Sequence, residues 1–293
     1  MKIGVVGSIN IDLVVKSERI PKKGETLIGE SMTNFPGGKG ANQAVAISRL
    51  GEEVTMFGCV GKDHYGSYLL ENLKEEKVNT NYIKEIEGVN SGIAVITVGE
   101  EDNSIVVIPG ANEYVNREYI DSVKDGILSH NLIIVQNEIP IDTIEYLANI
   151  CYDNNIKLVY NPAPAKEISS DLISKVSYIT PNEHETKLIF KESNINKVLQ
   201  EFSGKLIMTE GSKGVKLAIN NEVISVPSRK SKVVDTTGAG DTFNGAFCVG
   251  LLKGSNLIDC IKFANIAAGL STEKFGAQSG MPYLNEVLLE LER

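Results

Sequence analysis

The sequence has few of the residues on which zinc sites and histidine-based catalytic triads depend. Its 293 residues include no tryptophan, four cysteines and three histidines. The cysteines are far apart, lack metal-binding spacing and mostly have apolar neighbours, so we expect them to be buried, reduced thiols. The histidines are equally scattered, and neither a zinc site nor a catalytic triad is predicted. These residues are Cys59, Cys151, Cys248, Cys260, His64, His130 and His184.

Basic residues are also scarce relative to acidic ones. The chain has 29 Lys and Arg against 38 Asp and Glu, which gives a formal net charge of −9, and no basic run occurs. Binding to a nucleic-acid backbone requires clustered Lys and Arg, so we expect no nucleic-acid partner. Any phosphorylated ligand must then be held by local groups.

Long apolar runs are absent as well. No stretch reaches the roughly 18 apolar residues that a membrane-spanning helix needs. The N-terminal residues 2–6 enter a strand-like run without the apolar core of a signal peptide. We therefore expect a cytoplasmic protein with no membrane partner.

What the sequence does contain is a regular alternation of strand-like and helix-like segments. Hydrophobic residues make up 42% of the chain, enough for a large core. Parallel βα units need helices on both faces of their sheet. The sequence thus predicts an α/β protein with three α/β/α layers, a mostly parallel central sheet and a single domain over 1–293. Strands are predicted at 2–6, 54–59, 132–135, 157–160, 178–180 and 205–209, and helices at 66–76, 141–154, 242–252, 257–272 and 285–292.

Two segments, 14–33 and 80–108, interrupt this alternation with short strand-like pieces and polar turns. We expect them to form a small β-sheet that stands off the main one and acts as a lid. An exposed edge of such a sheet favours pairing with a second copy of the chain, so a homodimer through the lid is predicted.

The most informative stretch is 234–243, where Gly238 and Gly240 lie between a strand-like run and a helix-like one. Glycines there permit a tight turn whose N–H groups face an anion at the helix start. The helix dipole favours an ionised Asp241, which could then accept a proton from a hydroxyl group. An anion site beside a base indicates phosphoryl transfer to an alcohol. The alternative is an ordinary helix with an aspartate cap.

Further polar residues follow other strands. Asn10 and Asp12 come after the first strand, at the sheet edge where ligands bind in open α/β sheets, although they could be ordinary turn formers. The segment 35–43 contains three glycines before a helix, but its spacing matches neither a Walker A loop nor GxGxxG. Lys39 and Asn42 in this segment are candidate contacts for a small polar ligand, with a simple helix cap as the alternative. Glu138, Asn182, Glu185 and the 209–214 loop are predicted to share the edge with Asp241.

These motifs resemble the ribokinase (PfkB) family of sugar and nucleoside kinases. The resemblance covers essentially the whole chain, and the two glycine motifs in this order are its most specific part. The matching segments are 7–12, 36–42, 161–165, 181–185, 209–214, 235–243 and 276–278.

The resemblance implies ATP-dependent phosphorylation of the 5-hydroxyl of D-ribose, with Asp241 as general base. The N–H groups of Gly238, Ala239 and Gly240 would stabilise the transferring phosphoryl group. The sugar would contact Asn10, Asp12, Gly38, Lys39, Gly40, Asn42, Glu138 and Asp241. The nucleotide would contact Asn182, Thr209, Gly211, Ser212, Gly214, Gly240 and Asn265.

The same resemblance implies two metal ions. Mg²⁺ would accompany ATP, with Glu185 of the Asn-x-x-Glu pattern acting indirectly, since magnesium keeps several waters and usually binds through substrate phosphates. K⁺ would be a monovalent activator next to the anion site. Its ligands would be Asp235, Thr237, Ser271, Lys274, Gly276 and Gly280.

Other functions stay open at this point. A kinase of the same family could act on deoxyribose, fructose, a nucleoside or pseudouridine, and a non-catalytic sugar or nucleotide sensor could share the fold. A Rossmann dehydrogenase is disfavoured because no GxGxxG follows the first strand.

Overall fold

The computed structural model describes residues 2–99 and 102–292. The strands, in chain order, are β1 Ile3–Val6, β2 Asn10–Lys16, β3 Ser31–Gly37, β4 Val54–Gly61, β5 Asn79–Ile86, β6 Gly92–Gly99, β7 Asp102–Ile108, β8 Leu132–Gln136, β9 Lys157–Asn161, β10 Tyr178–Ile179, β11 Met208–Thr209, β12 Val215–Ile219 and β13 Glu222–Val226.

The helices are α1 Lys39–Arg49, α2 His64–Glu75, α3 Arg117–Ser122, α4 Lys124–Leu128, α5 Ile141–Asp153, α6 Ser170–Lys175, α7 Glu183–Phe190, α8 Ile195–Glu201, α9 Ala239–Leu252, α10 Leu257–Ser271, α11 Ala277–Gly280 and α12 Leu284–Leu291. Two 3₁₀ turns lie at Gly110–Tyr114 and Gly211–Lys213.

The central sheet has six parallel strands in the order β10-β9-β8-β1-β4-β5. Strands β1, β4 and β8 are buried along their whole length, as expected for parallel strands covered on both faces. Parallel bridges from Ile179 to Leu206 and from Asn182 to Thr209 extend the sheet towards β11. There it joins the antiparallel β12–β13 hairpin, whose Asn220 and Asn221 have positive φ.

Helices cover both faces of this sheet. Because side chains alternate along a strand, Ile134 of β8 packs in one core with residues of α1, α9 and α10, whereas Ile133 and Val135 pack in a second core with α5. The predicted three-layer α/β/α fold with its mostly parallel sheet is therefore confirmed.

A second, four-stranded sheet has the order β3-β2-β6-β7. Asn10 and Asp12 lie within β2 of this sheet, so the chain passes from β1 into a new strand where a turn had been an alternative. The prediction that the segment from residue 80 onwards joins this sheet is wrong for Asn79–Ile86. That strand follows α2 directly and pairs in parallel with β4, which makes it the edge of the central sheet.

All four cysteines are buried and unpaired, as predicted. Burial raises the pKa of Cys59 to about 12, so this thiol is protonated at neutral pH. In the part of the chain that the structure describes, no helix is long and apolar enough to cross a membrane.

Candidate active site

Asp241 lies in the first turn of α9 and is buried. Its two carboxylate oxygens accept hydrogen bonds from consecutive residues of α1. Asn42 Nδ2 donates to Oδ2 at 2.9 Å, and Gln43 Nε2 donates to Oδ1 at 3.1 Å. The N-cap of α9 is Gly238, which makes no side-chain cap, so Asp241 is not the helix cap that the alternative interpretation required.

The electrostatic surroundings of Asp241 suit a proton acceptor. Burial raises its pKa, and the charge of Lys39 and the hydrogen bonds from Asn42 and Gln43 oppose this effect without cancelling it. A general base works best when its pKa approaches the working pH. The raised pKa of Asp241 therefore favours its use as a general base.

The glycine turn before Asp241 leaves open space on one side. Gly238 has φ of 76°, and a Cβ there would lie 2.9 Å from Cα of Ala277, so only glycine fits. A Cβ at Gly240 would meet no atom within 4 Å. The N–H of Ala239 donates to the carbonyl of Thr236 at 3.2 Å, whereas no acceptor among the described residues bonds the N–H groups of Gly238 and Gly240. Two of the three predicted donors are thus available to an anion.

The second glycine turn packs against the connection between β1 and β2. Gly38 has φ of 87°, and a Cβ there would lie 2.8 Å from the backbone nitrogen of Asn10. A Cβ at Gly40 would lie 2.7 Å from the nitrogen of Ser8. Both glycines permit this close approach, which brings the start of α1 beside the start of β2.

Glu138 joins this corner to the end of β8. Its Oε2 accepts hydrogen bonds from the hydroxyl of Ser8 at 2.6 Å and from the N–H of Lys39 at 3.0 Å. The carboxylate therefore accepts from the first N–H of α1, which gives it a capping role, since the N-cap residue Gly38 has no side chain to cap the helix. Its Oε1 has no protein donor among the described residues and can still accept from a ligand.

Four carboxylates act on the charge of Lys39, those of Asp241, Glu138, Glu185 and Asp12. Burial, and the negative charges of Glu138 and Asp241, raise the pKa of Asp12 to about 7, although Lys39 opposes the shift. Asp241 in turn raises the pKa of Lys39. Mutual perturbation of this kind is expected only of groups that lie close together, so the predicted sugar contacts and the predicted base share one cluster.

Three of the seven predicted nucleotide residues line a cleft of about 380 Å³. Its lining includes Asn182, Thr209 and Gly211. Gly214 is buried beside it, where a Cβ would lie 2.2 Å from the carbonyl oxygen of Val226. The cleft lies at the end of the central sheet where Asn182 and Thr209 form a parallel bridge.

The side chains of two predicted nucleotide residues, Asn182 and Asn265, and of the predicted magnesium residue Glu185 already have partners in the protein. Asn182 and Glu185 form a capping box at the start of α7, in which each side chain accepts from the backbone N–H of the other at 2.8 Å. Asn265 Nδ2 donates to the carbonyls of Val226 and Pro227. The atoms of these side chains that make no hydrogen bond to the described residues are Nδ2 of Asn182, Oδ1 of Asn265 and Oε1 of Glu185, so Asn182 can donate to a ligand and the other two can accept from one.

The residues predicted to bind potassium lie close together. The carboxylate of Asp235 accepts hydrogen bonds from the N–H and hydroxyl of Thr237, at 2.9 and 2.7 Å, and from the N–H of Gly276 at 2.9 Å. Burial raises the pKa of Asp235, but these hydrogen bonds outweigh burial and lower it, so the group is ionised. A Cβ at Gly280 would lie 2.6 Å from the carbonyl oxygen of Ser271 and 3.5 Å from that of Lys274.

This set of oxygen atoms and one negative charge fits a monovalent cation. The same hydrogen bonds also fit a simpler role, in which Asp235 only stabilises the turn. Potassium binding therefore stays a prediction.

Sequence reasoning assigned no role to several polar residues of the site. Gln43 bonds Asp241, and Asn112 accepts from the N–H of Ile9 at 2.9 Å and donates to Oδ1 of Asn10 at 2.7 Å. A signal was present for Gln43, because an amide among the apolar buried residues of a helix needs partners. Asn112 carries no such signal, since it lies in a short 3₁₀ turn and contacts Ile9 and Asn10 across more than 100 residues of sequence.

Comparison with known proteins agrees with this geometry. The chain matches the model of the pfkB family carbohydrate kinases over residues 1–284. A ribokinase of Lactococcus lactis is 47% identical over 292 residues, which are 99% of this chain and 97% of that protein.

Solved structures show the same likeness. A ribokinase of Thermotoga maritima has a TM-score of 0.92 at 37% identity, with 99% of both chains covered. A ribokinase of Arabidopsis thaliana, solved with ribose and ATP, has a TM-score of 0.90 at 29% identity, with 99% of this chain and 98% of that chain covered.

The chain therefore belongs to the pfkB family of carbohydrate kinases, and the resemblance inferred from its motifs is confirmed. Enzymes of this class transfer a phosphoryl group to an alcohol.

Proposed function

We propose that this protein transfers the γ-phosphate of ATP to the 5-hydroxyl of D-ribose and releases D-ribose 5-phosphate and ADP. One observation carries the proposal: the buried Asp241, directly after the Gly238–Gly240 turn, belongs to the same charged cluster as Asp12 and Lys39. The relatives described as ribokinases support ribose and ATP as its substrates.

The chemistry follows from these positions. The 5-hydroxyl oxygen attacks the γ-phosphorus, its proton passes to Asp241, and the bond to the bridging oxygen of ADP breaks. The N–H groups of Gly238 and Gly240 stabilise the charge on the transferring phosphoryl group. Ala239 is the third predicted donor, and it contributes fully only if its bond to Thr236 opens.

Asp12 and Glu138 would hold the sugar by accepting hydrogen bonds from its hydroxyl groups, with Asn10, Lys39 and Asn42 beside them. Asp12 provides the sharpest test of the acceptor, because an ionised carboxylate can accept from two neighbouring hydroxyls. A site built for the 2-hydroxyl should reject 2-deoxyribose by roughly ten- to a hundredfold in kcat/KM.

A panel of sugars measured by ADP release tests this function. Ribose should be the best acceptor, and deoxyribose, fructose, nucleosides and pseudouridine should be poor ones. Asp12→Ala should lower the activity on ribose much more than that on 2-deoxyribose. Equal turnover of ribose and 2-deoxyribose by the wild type would move the assignment to another acceptor. Ribose binding without ADP release would make the protein a sensor.

The metal ions are part of the same proposal. Mg²⁺ bound with ATP supplies positive charge at the phosphates. Within residues 2–99 and 102–292 no three or more His, Cys, Asp or Glu side chains form a metal-binding group. The site therefore fits an ion held mainly by phosphate oxygens and water, with Glu185 in an indirect role.

Potassium bound by Asp235, Thr237 and the carbonyls of the 271–280 loop would keep the neighbouring glycine turn in place. Gly238 packs against Ala277 of this loop, which supports such a link. Initial rates at matched ionic strength should be higher in potassium than in sodium or tetramethylammonium. Equal rates in all three would leave Asp235 with the turn-stabilising role alone.

We also propose that 1–293 acts as one kinase domain, in which the four-stranded sheet closes over the sugar as a lid. Hydrogen exchange in residues 92–99 and 102–108 should then slow when ribose binds.

The edge of the same sheet supports a homodimer. Ile105 and Val106 of the edge strand β7 are more than half exposed, which supports pairing with a second copy. Light scattering should give the mass of a dimer, and Val106→Lys should give that of a monomer. A cytoplasmic location, where ATP is available, completes the proposal.

A further inference from the structure

A chain of three carboxamide side chains leads from α2 to the carboxylate of Asp241. Asn72 Nδ2 donates to Oε1 of Gln278 at 2.8 Å, and Gln278 Nε2 donates to Oδ1 of Asn42 at 3.1 Å. Asn42 Nδ2 then donates to Oδ2 of Asp241 at 2.9 Å. Gln278 and Asn42 are both buried, so these bonds are shielded from competing water.

The carboxylate of Asp241 sets the direction of these hydrogen bonds. An ionised carboxylate only accepts hydrogen bonds, so Asn42 must turn its nitrogen to Asp241 and its oxygen to Gln278. Gln278 must then present its nitrogen to Asn42 and its oxygen to Asn72. Reversal of any one amide would place two donors or two acceptors face to face.

The backbone of Gln278 is also fixed. Its carbonyl oxygen accepts a hydrogen bond from the guanidinium of Arg49, which also donates to the carbonyl of Met281 at 3.0 Å. Arg49 is in the last turn of α1 and Asn42 is near the start of this helix. Two residues of α1 thus hold Gln278. Asn42, near the start of the helix, bonds its side chain, and Arg49, in the last turn, bonds its backbone carbonyl.

We propose that Gln278 is a positioning residue for phosphoryl transfer, because it fixes the amide of Asn42 and so keeps a hydrogen-bond donor on Asp241. The inference rests on the proposed function in one respect, that Asp241 is the general base. The side chain of Gln278 makes no hydrogen bond to Asp241. It acts on Asp241 only through Asn42, which bonds both residues.

The positioning role of Gln278 predicts a change in the pH dependence of the enzyme's activity. The charged groups that interact with Asp241 are Lys39 on α1, Glu138 after β8 and Asp12 on β2, and a neutral substitution of Gln278 leaves all three in place. Loss of an ordered donor destabilises the ionised form of Asp241, so its pKa rises. The acidic limb of kcat, measured with ribose saturating at every pH so that the titration of Asp12 in the free enzyme does not contribute, should therefore move to higher pH.

The experiment compares Gln278→Glu and Gln278→Met with the wild type. Gln278→Glu sets an acceptor against Oδ1 of Asn42, and the acidic limb should move up by about one pH unit. Gln278→Met removes the donor without adding charge, and a shift of roughly half a pH unit in the same direction is expected. Gln200→Met is the matched control, since Gln200 is exposed at the end of α8 and should keep the wild-type profile.

A shift in Gln278→Glu alone would show an effect of charge and overturn the positioning role, as would wild-type limbs in both variants. Thermal unfolding shows whether each variant is folded. If neither folds, Asn72→Leu decides, because it removes the donor to Gln278 from a half-buried position, and an unchanged limb overturns the proposal. A wild type that does not use ribose overturns the proposed substrate, and the limb is then measured with the acceptor that the sugar panel identifies.

Discussion

The carboxylate of Asp12 occupies the space that a side chain at Gly37 would need. A Cβ at Gly37 would lie 2.3 Å from Oδ2 of Asp12 and 2.6 Å from Oδ1. Strands β2 and β3 pair antiparallel with Asp12 opposite Phe35, and Gly37 is two residues further along the same face. The position of a proposed sugar-binding group therefore depends on a missing side chain in the neighbouring strand.

Gly37→Ala should weaken ribose binding. The added methyl group must displace the carboxylate of Asp12, and loss of one charge-assisted hydrogen bond should raise the KM for ribose about tenfold. The KM for ATP should change little. Gly29→Ala in the same part of the chain is the control, because its Cβ would meet atoms only at 3.4 Å and beyond. An unchanged KM in Gly37→Ala would mean that Asp12 can move without loss.

Asp241→Asn should reduce kcat by about 10²–10⁴-fold, the usual contribution of a general base. The substitution keeps the shape of the side chain and removes the proton acceptor. Ribose binding, measured by calorimetry, should persist. The exposed Asp153→Asn should behave like the wild type. A purified Asp241→Asn enzyme that kept more than roughly a third of wild-type kcat would exclude Asp241 as the base.

Ribose binding should strengthen as the pH rises through neutrality. Burial and the neighbouring Glu138 and Asp241 raise the pKa of Asp12 to about 7, so below this pH its carboxyl group is mostly protonated and cannot accept from two hydroxyls. Only the ionised form can bind ribose fully, and the Kd should fall about tenfold from pH 6 to pH 8. Calorimetry measures this without ATP. In Asp12→Asn the Kd should be higher and nearly independent of pH.

The same pKa predicts a cost in stability. The folded form of Asp12 holds its proton up to about pH 7, whereas the unfolded form loses it near the ordinary value of 3.8. Because the unfolded state binds fewer protons between these values, stability falls as the pH rises from about 4 to 7. Asp12→Asn should therefore raise the Tm at pH 8 and have a smaller effect at pH 4. An equal effect at both would contradict the raised pKa.

Arg49→Met should destabilise the fold. Its guanidinium pairs with Glu76 and bonds the carbonyls of Gln278 and Met281, and the side chains of Arg49 and Glu76 are only 11% and 19% exposed. Removing one partner of a buried pair typically costs about 3–5 kcal/mol. Thermal unfolding should show a Tm lower by roughly 6–15 °C. Lys62→Met breaks the exposed pair with Glu87 and should leave the Tm nearly unchanged.

The sequence predicted those parts of the fold that have strong local patterns. The continuous apolar runs of β1, β4 and β8 indicate parallel strands, and α5, α9 and α10 were predicted within a few residues of their bounds. Short helices such as α3, α6 and α8 were missed, because six or seven residues give too few turns for a clear period. Their formation depends on packing against the sheet.

The site was predictable in its charged and glycine residues but not in its amides. Gly238 and Asp241 stand out because a glycine turn followed by a carboxylate at a helix start is a local pattern that favours an anion site beside a base. Gln278 meets Asn42 across 236 residues of sequence, and such a contact has no local pattern. The wrong placement of Asn79–Ile86 has a related cause. None of its side chains is fully buried, as in a separate small sheet, whereas the strand is an edge of the main sheet.

Each protein side chain that bonds Asp241 in the described part of the chain is a carboxamide, and carboxamides neither take up nor release protons at neutral pH. Asn42 and Gln43 can orient the carboxylate, but they cannot conduct its proton into the protein interior. A proton taken from the sugar must therefore leave by the side from which it came. The base is reset only when product departs and water enters, which would tie the proton cycle to the opening of the cleft.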